Sequence, residues 1–289
     1  MTRGRIIRTN LLGIAVTIFT AVGIVFLLYA ASDKMNQTPN GFSRHLLAPS
    51  LNRLQVKPLE QDTLPYRFLG NRGLIIRNPT GDSLHTPPFT RGVSISPASF
   101  ILRGPDPSSK DQVFMKVQGK KVTYEQGISE VHNDAGISTD GTLNFDAQTG
   151  LLAYTYFSRN RILCFDTNLM HAFTMHTIDT EATYRPLTIA LNGGKSITND
   201  KPMRFVNRYT CTNEGKLYVH SSLKADNEKE EVWSKNAAID VYDLSGRTYQ
   251  GSFYLPRLNG EKMKRFRVDH DRIFVGYDDY TAIYSLPNL

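Results

Sequence analysis

The chain has 289 residues, 40 % of them apolar, two cysteines and a formal charge of +7. Arg3, Arg5 and Arg8 carry three of those charges within the first ten residues, so +4 remains for the other 279, far from the concentrated basic face of a nucleic-acid binder. Fourteen Tyr and 15 Phe against one Trp favour strands over helices, and a chain of this length does not depend on a disulfide framework.

Residues 11–31, "LLGIAVTIFTAVGIVFLLYAA", form an uncharged run. A helix rising about 1.5 Å per residue over this length matches the roughly 30 Å hydrocarbon core, so one transmembrane helix is expected there. The arginines before it, against Asp33 and Lys34 after it, make residues 1–10 a cytoplasmic tail and place the rest of the chain outside the cytoplasm. A cleaved signal peptide is the alternative, because Ala30 and Ser32 fit a small-x-small site. Signal cores, however, run only about 7–15 residues, which favours a retained anchor. Residues 32–51, with Pro39, Gly41 and Pro49, read as a polar linker with room for a short helical turn at "FSRHLLA".

Beyond residue 52 short strand patterns dominate. "YRFLGNRGLIIRN" and "VFMKVQGKKVTYE" are weak hairpins. Residues 141–178 divide into "TLNFD", "LLAYTYF", "RILCFD" and "MHAFTMHTI", separated by turns short enough to make one up-and-down sheet. "MRFVNRYTCTNEGKLYVHSSL" gives two more strands, and "AIDVYD" with "YQGSFYLP" gives the outer hairpin of the same repeated unit. "KRFRVDHDRIFVGYDDYTAIYSLP" supplies a final three. Four strands per roughly 40 residues is the pattern of a β-propeller, so residues 52–289 are expected to form an all-β propeller of about six four-stranded blades, with five also fitting the length. A β-sandwich is the alternative architecture. Cys164 and Cys211 lie in strand-like stretches and read as two free buried thiols rather than a bridge.

The text from "FSRHLL" through "YRFLGN", "LLAYTYFSRNRILCFDTNL", "VNRYTC" and "LYVHSSLKADNE" to "FVGYDDYTAIYSL" resembles a group of largely uncharacterised, membrane-anchored, six-bladed propeller-like (TolB-like) proteins of Gram-negative bacteria. The likeness covers most of residues 42–289. It implies a fold and a topology and carries no activity.

Two polar constellations stand out. Asp226, Asn227 and Glu228 in "SSLKADNEKEEVW" form an acidic loop of the kind that converges on ligands at a propeller mouth, against the plainer reading of a solvated charge run. Tyr156, Arg159 and Asn160 in "YFSRNR" sit at a hairpin tip and make a second recognition loop, though Ser and Asn there are also ordinary turn residues. Catalytic residues and metal ligands have no signature. No G-x-S-x-G elbow occurs, the seven histidines are scattered, and Asp269 and Asp271 in "DHDR" read as a turn. No cofactor is implied. The expected function is that of a membrane-anchored, periplasmic binding or scaffolding module for an envelope protein, peptide or glycan, with no role for nucleic acid. A hydrolase or lyase acting on an envelope polymer is the alternative.

Overall fold

The computed structural model describes residues 17–26, 39–48, 50–59, 65–109, 111–182, 187–191, 194–198 and 204–287. They belong to two units, Met1–Asn40 and Gly41–Leu289. In the first unit residues 17–26 are helical and keep their apolar side chains exposed, Phe19 at 78 % and Phe26 at 69 %. Among the described residues no helix is long and apolar enough to cross a membrane. The expected tail 1–10 and the flanks of the 11–31 run lie outside the described residues.

The second unit is a five-bladed β-propeller. Blade 1 holds three strands, β2 (Tyr66–Leu69), β3 (Leu74–Arg77) and β4 (Ser83–His85). Blade 2 runs β5 (Arg91–Ser96), β6 (Ser99–Pro105), β7 (Gln112–Gln118) and β8 (Lys121–Tyr124). Blade 3 runs β9 (Gly141–Asp146), β10 (Leu151–Tyr156), β11 (Arg161–Asp166) and β12 (His171–His176). A separate hairpin, β13 (Leu187–Leu191) with β14 (Gly194–Thr198), intervenes before blade 4, which comprises β15 (Asn207–Asn213), β16 (Lys216–Ser221), β17 (Asn236–Asp243) and β18 (Thr248–Pro256). Blade 5 takes β19 (Arg265–Asp269), β20 (Arg272–Gly276) and β21 (Tyr280–Ser285) from the C-terminal end, and its outer strand, β1 (Arg53–Pro58), from the N-terminal side. That antiparallel β1–β21 pairing closes the ring. The inner strands β5, β9, β15 and β19 touch in succession around its centre.

Alternation builds these blades because successive side chains of a strand point to opposite neighbours. On β10, Leu152, Tyr154 and Tyr156 pack with Ile101 and Phe114 of blade 2, while Ala153 packs with Leu217 and Val219 of blade 4. Each fully buried Leu or Phe of this kind stabilises by about 1.5–3 kcal/mol. Both sulfhydryls are free: Cys164 joins the core between blades 3 and 4, and Cys211 packs on the one between blades 4 and 5. Burial pushes each thiol up to about 12, so neither is a reactive thiolate.

The blade number corrects the expectation of six. Dividing the length by about 40 ignored two long connections, residues 125–140 and 177–206, and the loan of β1 to the last blade. The linker and its helical turn are corrected as well. Residues 42–45 form no helical turn, and Leu46 bridges to Ser252 in parallel with β18. Leu47 N–H donates to Ser252 O at 2.8 Å and Ser252 N–H to His45 O at 2.7 Å, so this segment is a strap on the outer edge of blade 4. Gly251 makes the seat: it adjoins a bulge at Gln250 of β18, has φ +149°, and a Cβ there would stand 2.6 Å from Leu47 Cγ.

Candidate functional site

The β6–β7, β10–β11 and β16–β17 connections leave one end of the ring, here termed the upper face, because antiparallel strands put alternate turns on alternate ends. Both loops singled out in the sequence belong to it. Asp226, Asn227 and Glu228 lie in the β16–β17 connection and fasten the strap. Asp226 Oδ2 accepts from Gly41 N–H at 2.9 Å. Asn227 clamps the Arg44 backbone, Oδ1 accepting from its N–H at 3.0 Å and Nδ2 donating to its carbonyl at 2.8 Å. Glu228 Oε2 receives Arg44 Nη1 at 2.6 Å, and its other oxygen receives the Tyr254 hydroxyl at 2.5 Å.

Arg44 is the centre of this lock, its side chain 0 % exposed. Nε donates to Asp240 Oδ1 at 2.7 Å and Nη2 to Leu223 O at 3.0 Å, while the Phe42 and Trp233 rings lie 5.2 and 5.6 Å from the guanidinium carbon. Burial alone would lower the Arg44 pKa; the charge and hydrogen bonds of Asp240, with Glu228 behind them, reverse this and raise it. The acidic loop is thus the receptor for a segment of the same chain. Sequence inspection had no local signal for that, since Glu228 is 184 residues from its partner.

Tyr156, Arg159 and Asn160 come together at the top of blade 3. Arg159 lies 4.0 Å above the Tyr156 ring and donates through Nη2 to Glu130 Oε2 at 2.8 Å. Glu130 also meets Arg161 and, at 3.2 Å, His132 Nε2. Asn160 bonds inward, its Nδ2 donating to Asp179 O at 2.8 Å. Behind them Arg103, 1 % exposed, sits between the Phe114 and Tyr154 rings and donates to Thr139 O at 2.9 Å and Thr139 Oγ1 at 2.7 Å. Burial raises the pKa of nearby Glu125, against hydrogen bonds from Ser129 and Phe114 and, more weakly, the Arg103 charge.

The accessible part of the upper face is an arginine–aromatic patch that the sequence reading missed. Arg91, the first residue of inner strand β5, binds Asp140 Oδ2 at 3.0 Å and covers the Phe157 ring at 5.4 Å. Phe157 meets Phe205 edge-on at 5.6 Å, and Phe205 is 43 % exposed. At the start of β15, Arg208 donates to Ser222 Oγ at 2.8 Å, and Tyr209, 42 % exposed, stacks on His220 at 6.0 Å. The available signal was that Arg91 and Arg208 each open an alternating run. Six buried side-chain atoms lack a partner among the described residues: Arg103 Nε, Thr155 Oγ1, Arg159 Nε, Arg161 Nε, Asn207 Oδ1 and His220 Nδ1. All six belong to the upper ends of their strands or to an upper turn. Among the described residues no three His, Cys, Asp or Glu side chains are grouped to hold a metal ion.

No protein-family model and no curated protein matches the chain. Among solved structures it is similar to a member of the duf4221 family from Bacteroides vulgatus, at 13 % identity and TM-score 0.41, over 86 % of this chain and 79 % of that one. A nidogen/laminin complex matches at 10 % identity and TM-score 0.35 over 64 % of this chain, and the hydrazine synthase of Kuenenia stuttgartiensis at 11 % and 0.37 over 71 %. The chain spans 56 % and 49 % of those two chains. Likeness at this level carries no argument about activity, and the propeller assignment rests on the sheet topology above. The fold is compatible with a protein-binding scaffold.

Proposed function

We propose that the protein is a binding or scaffolding module tethered to the cytoplasmic membrane by residues 11–31, with its propeller outside the cytoplasm, recognising an envelope protein, peptide or glycan through the upper face. The single observation that carries the binding reading is the Arg91–Phe157–Phe205 ladder, half-buried at Arg91 and Phe157 and exposed at Phe205, together with the exposed Tyr209, since arginine and aromatic side chains are the residues on which interfaces concentrate their energy. The tether is supported by the uncharged 11–31 run, the preceding arginines and the exposed apolar side chains of helix 17–26. The TolB-like resemblance belongs to the same proposal.

Crosslinking and purification of the full chain in detergent tests the binding reading. Wild type is expected to retain a stoichiometric partner that Phe205→Ser/Tyr209→Ser loses, each anchor contributing about 1–2 kcal/mol or more. Equal retention by that variant refutes the assignment of the upper face. Asn10→Cys and Asn259→Cys, probed with a membrane-impermeant thiol reagent, test the topology: only the second is expected to label in intact cells stripped of outer barriers. The opposite labelling pattern refutes it.

A further inference from the structure

At the other end of the ring, the lower turns of blades 1 and 2 line an open hollow of about 240 Å³. Its floor is apolar and firmly packed: Ile75 and Phe100 are 2 % and 3 % exposed, and the Tyr66 ring stands edge-on to Phe100 at 5.0 Å. Leu84 and Ala98 complete the wall, and Gly119 contributes no side chain to it.

Two opposite charges stand at the rim. Arg77 closes β3 and Asp82 precedes β4, with Arg77 N–H donating to Asp82 O at 2.9 Å across the turn. Tyr66 pairs with Arg77, and Ile75 with Leu84, so these side chains share the blade face turned to the cavity. Although they leave the same turn, the guanidinium and the carboxylate form no ion pair. Arg77 Nη2 is held by Pro97 O at 2.6 Å, with its guanidinium carbon 6.0 Å from the Tyr66 ring centre, and Asp82 Oδ2 accepts from the Thr80 hydroxyl at 2.8 Å.

A cation and an anion held apart over an apolar hollow complement a small molecule that carries both charges and one apolar group. We propose that this cavity binds a free α-amino acid with an aliphatic or aromatic side chain. The carboxylate meets Arg77, the ammonium meets Asp82, and the side chain lies against Ile75, Leu84 and Phe100. The hollow is smaller than the roughly 300–1,000 Å³ of sites for drug-sized ligands, which limits the guest to one such residue. This site is independent of the upper face.

Titration calorimetry on the full chain with L-leucine and L-phenylalanine tests the proposal. At least one is expected to bind saturably with a dissociation constant below about 1 mM, and its N-acetyl and amide derivatives, each missing one charge, about tenfold more weakly or worse. Arg77→Gln and Asp82→Asn are each expected to weaken binding about tenfold at unchanged melting temperature, Ala98→Phe to abolish it by filling the hollow, and Phe205→Ser/Tyr209→Ser to leave it intact. Absence of saturation, equal binding of the blocked derivatives, or insensitivity to both rim variants overturns the proposal.

Discussion

Replacing Arg44 with Met keeps the apolar stem over Phe42 and Trp233 and removes the charge. Three hydrogen bonds to carboxylate oxygens and one to Leu223 O disappear together. Glu228 still accepts from Ala225 N–H and the Tyr254 hydroxyl, and Asp240 from Ser252 Oγ, but their negative charges face each other without a cation. Breaking a buried pair from one side costs about 3–5 kcal/mol, which in a domain the size of Gly41–Leu289 lowers the melting temperature by about 6–20 °C. The strap can also release first, which caps the global loss at its docking energy. Two readouts therefore belong to the assay: the calorimetric melting temperature and hydrogen exchange at the Arg44 and Leu47 amides, bonded to Asn227 and Ser252. Adding Glu228→Gln and Asp240→Asn to Arg44→Met is expected to recover most of the loss, because the uncompensated charges go. An Arg44→Met protein that melts within about 1 °C of wild type with both amides still protected would refute the lock.

Burial, aided by Arg208 and Arg44, drops His220 to about 4 from its usual 6.5, so between those values the unfolded chain binds the extra proton. Its contribution to stability is complete above about 6.5 and fades as pH falls toward 4, by about 3 kcal/mol; the urea midpoint of His220→Gln is expected to fall less than that of wild type over this window. Identical profiles would remove His220 from the account. Gly251→Val forces a side chain into Leu47 and is expected to expose the strap to limited proteolysis while blades 2 and 3 remain protected. Deleting residues 1–58 takes away the strap with Arg44 as well as β1 and is expected to broaden thermal unfolding and promote association through the bare β18 and β21 edges, whereas deleting residues 1–40 leaves one sharp transition.

Blade 3 and the outer hairpin of blade 4 were legible because their physics is local. In "LLAYTYF" every second side chain serves the same neighbouring blade, and the Asp166 turn closes on itself, Oδ1 accepting from the Asn168 and Met170 amides at 2.9 Å. The strap and its lock were not legible. "FSRHLLA" has helix-forming residues, yet its backbone partners lie on β18, some 200 positions away. Glu228 stands in a charge run whose neighbours Glu230 and Glu231 are exposed, and only the fold separates it from them. The upper patch adjoins the hairpin tip read from the sequence: Arg159 turns to Glu130, and Phe157, between Tyr156 and Arg159, carries the link to Phe205.

The strand synthesised earliest in the propeller waits for the one synthesised last. Until Tyr280–Ser285 leaves the ribosome, Arg53–Pro58 has no edge to join, and Arg44 gains its anionic cage only once Asp240 is made. Circle formation is therefore a late, high-contact-order event, slow compared with the hairpins inside each sheet. A chain lacking its final ten residues would keep an unfinished outer seam however well its central blades had formed.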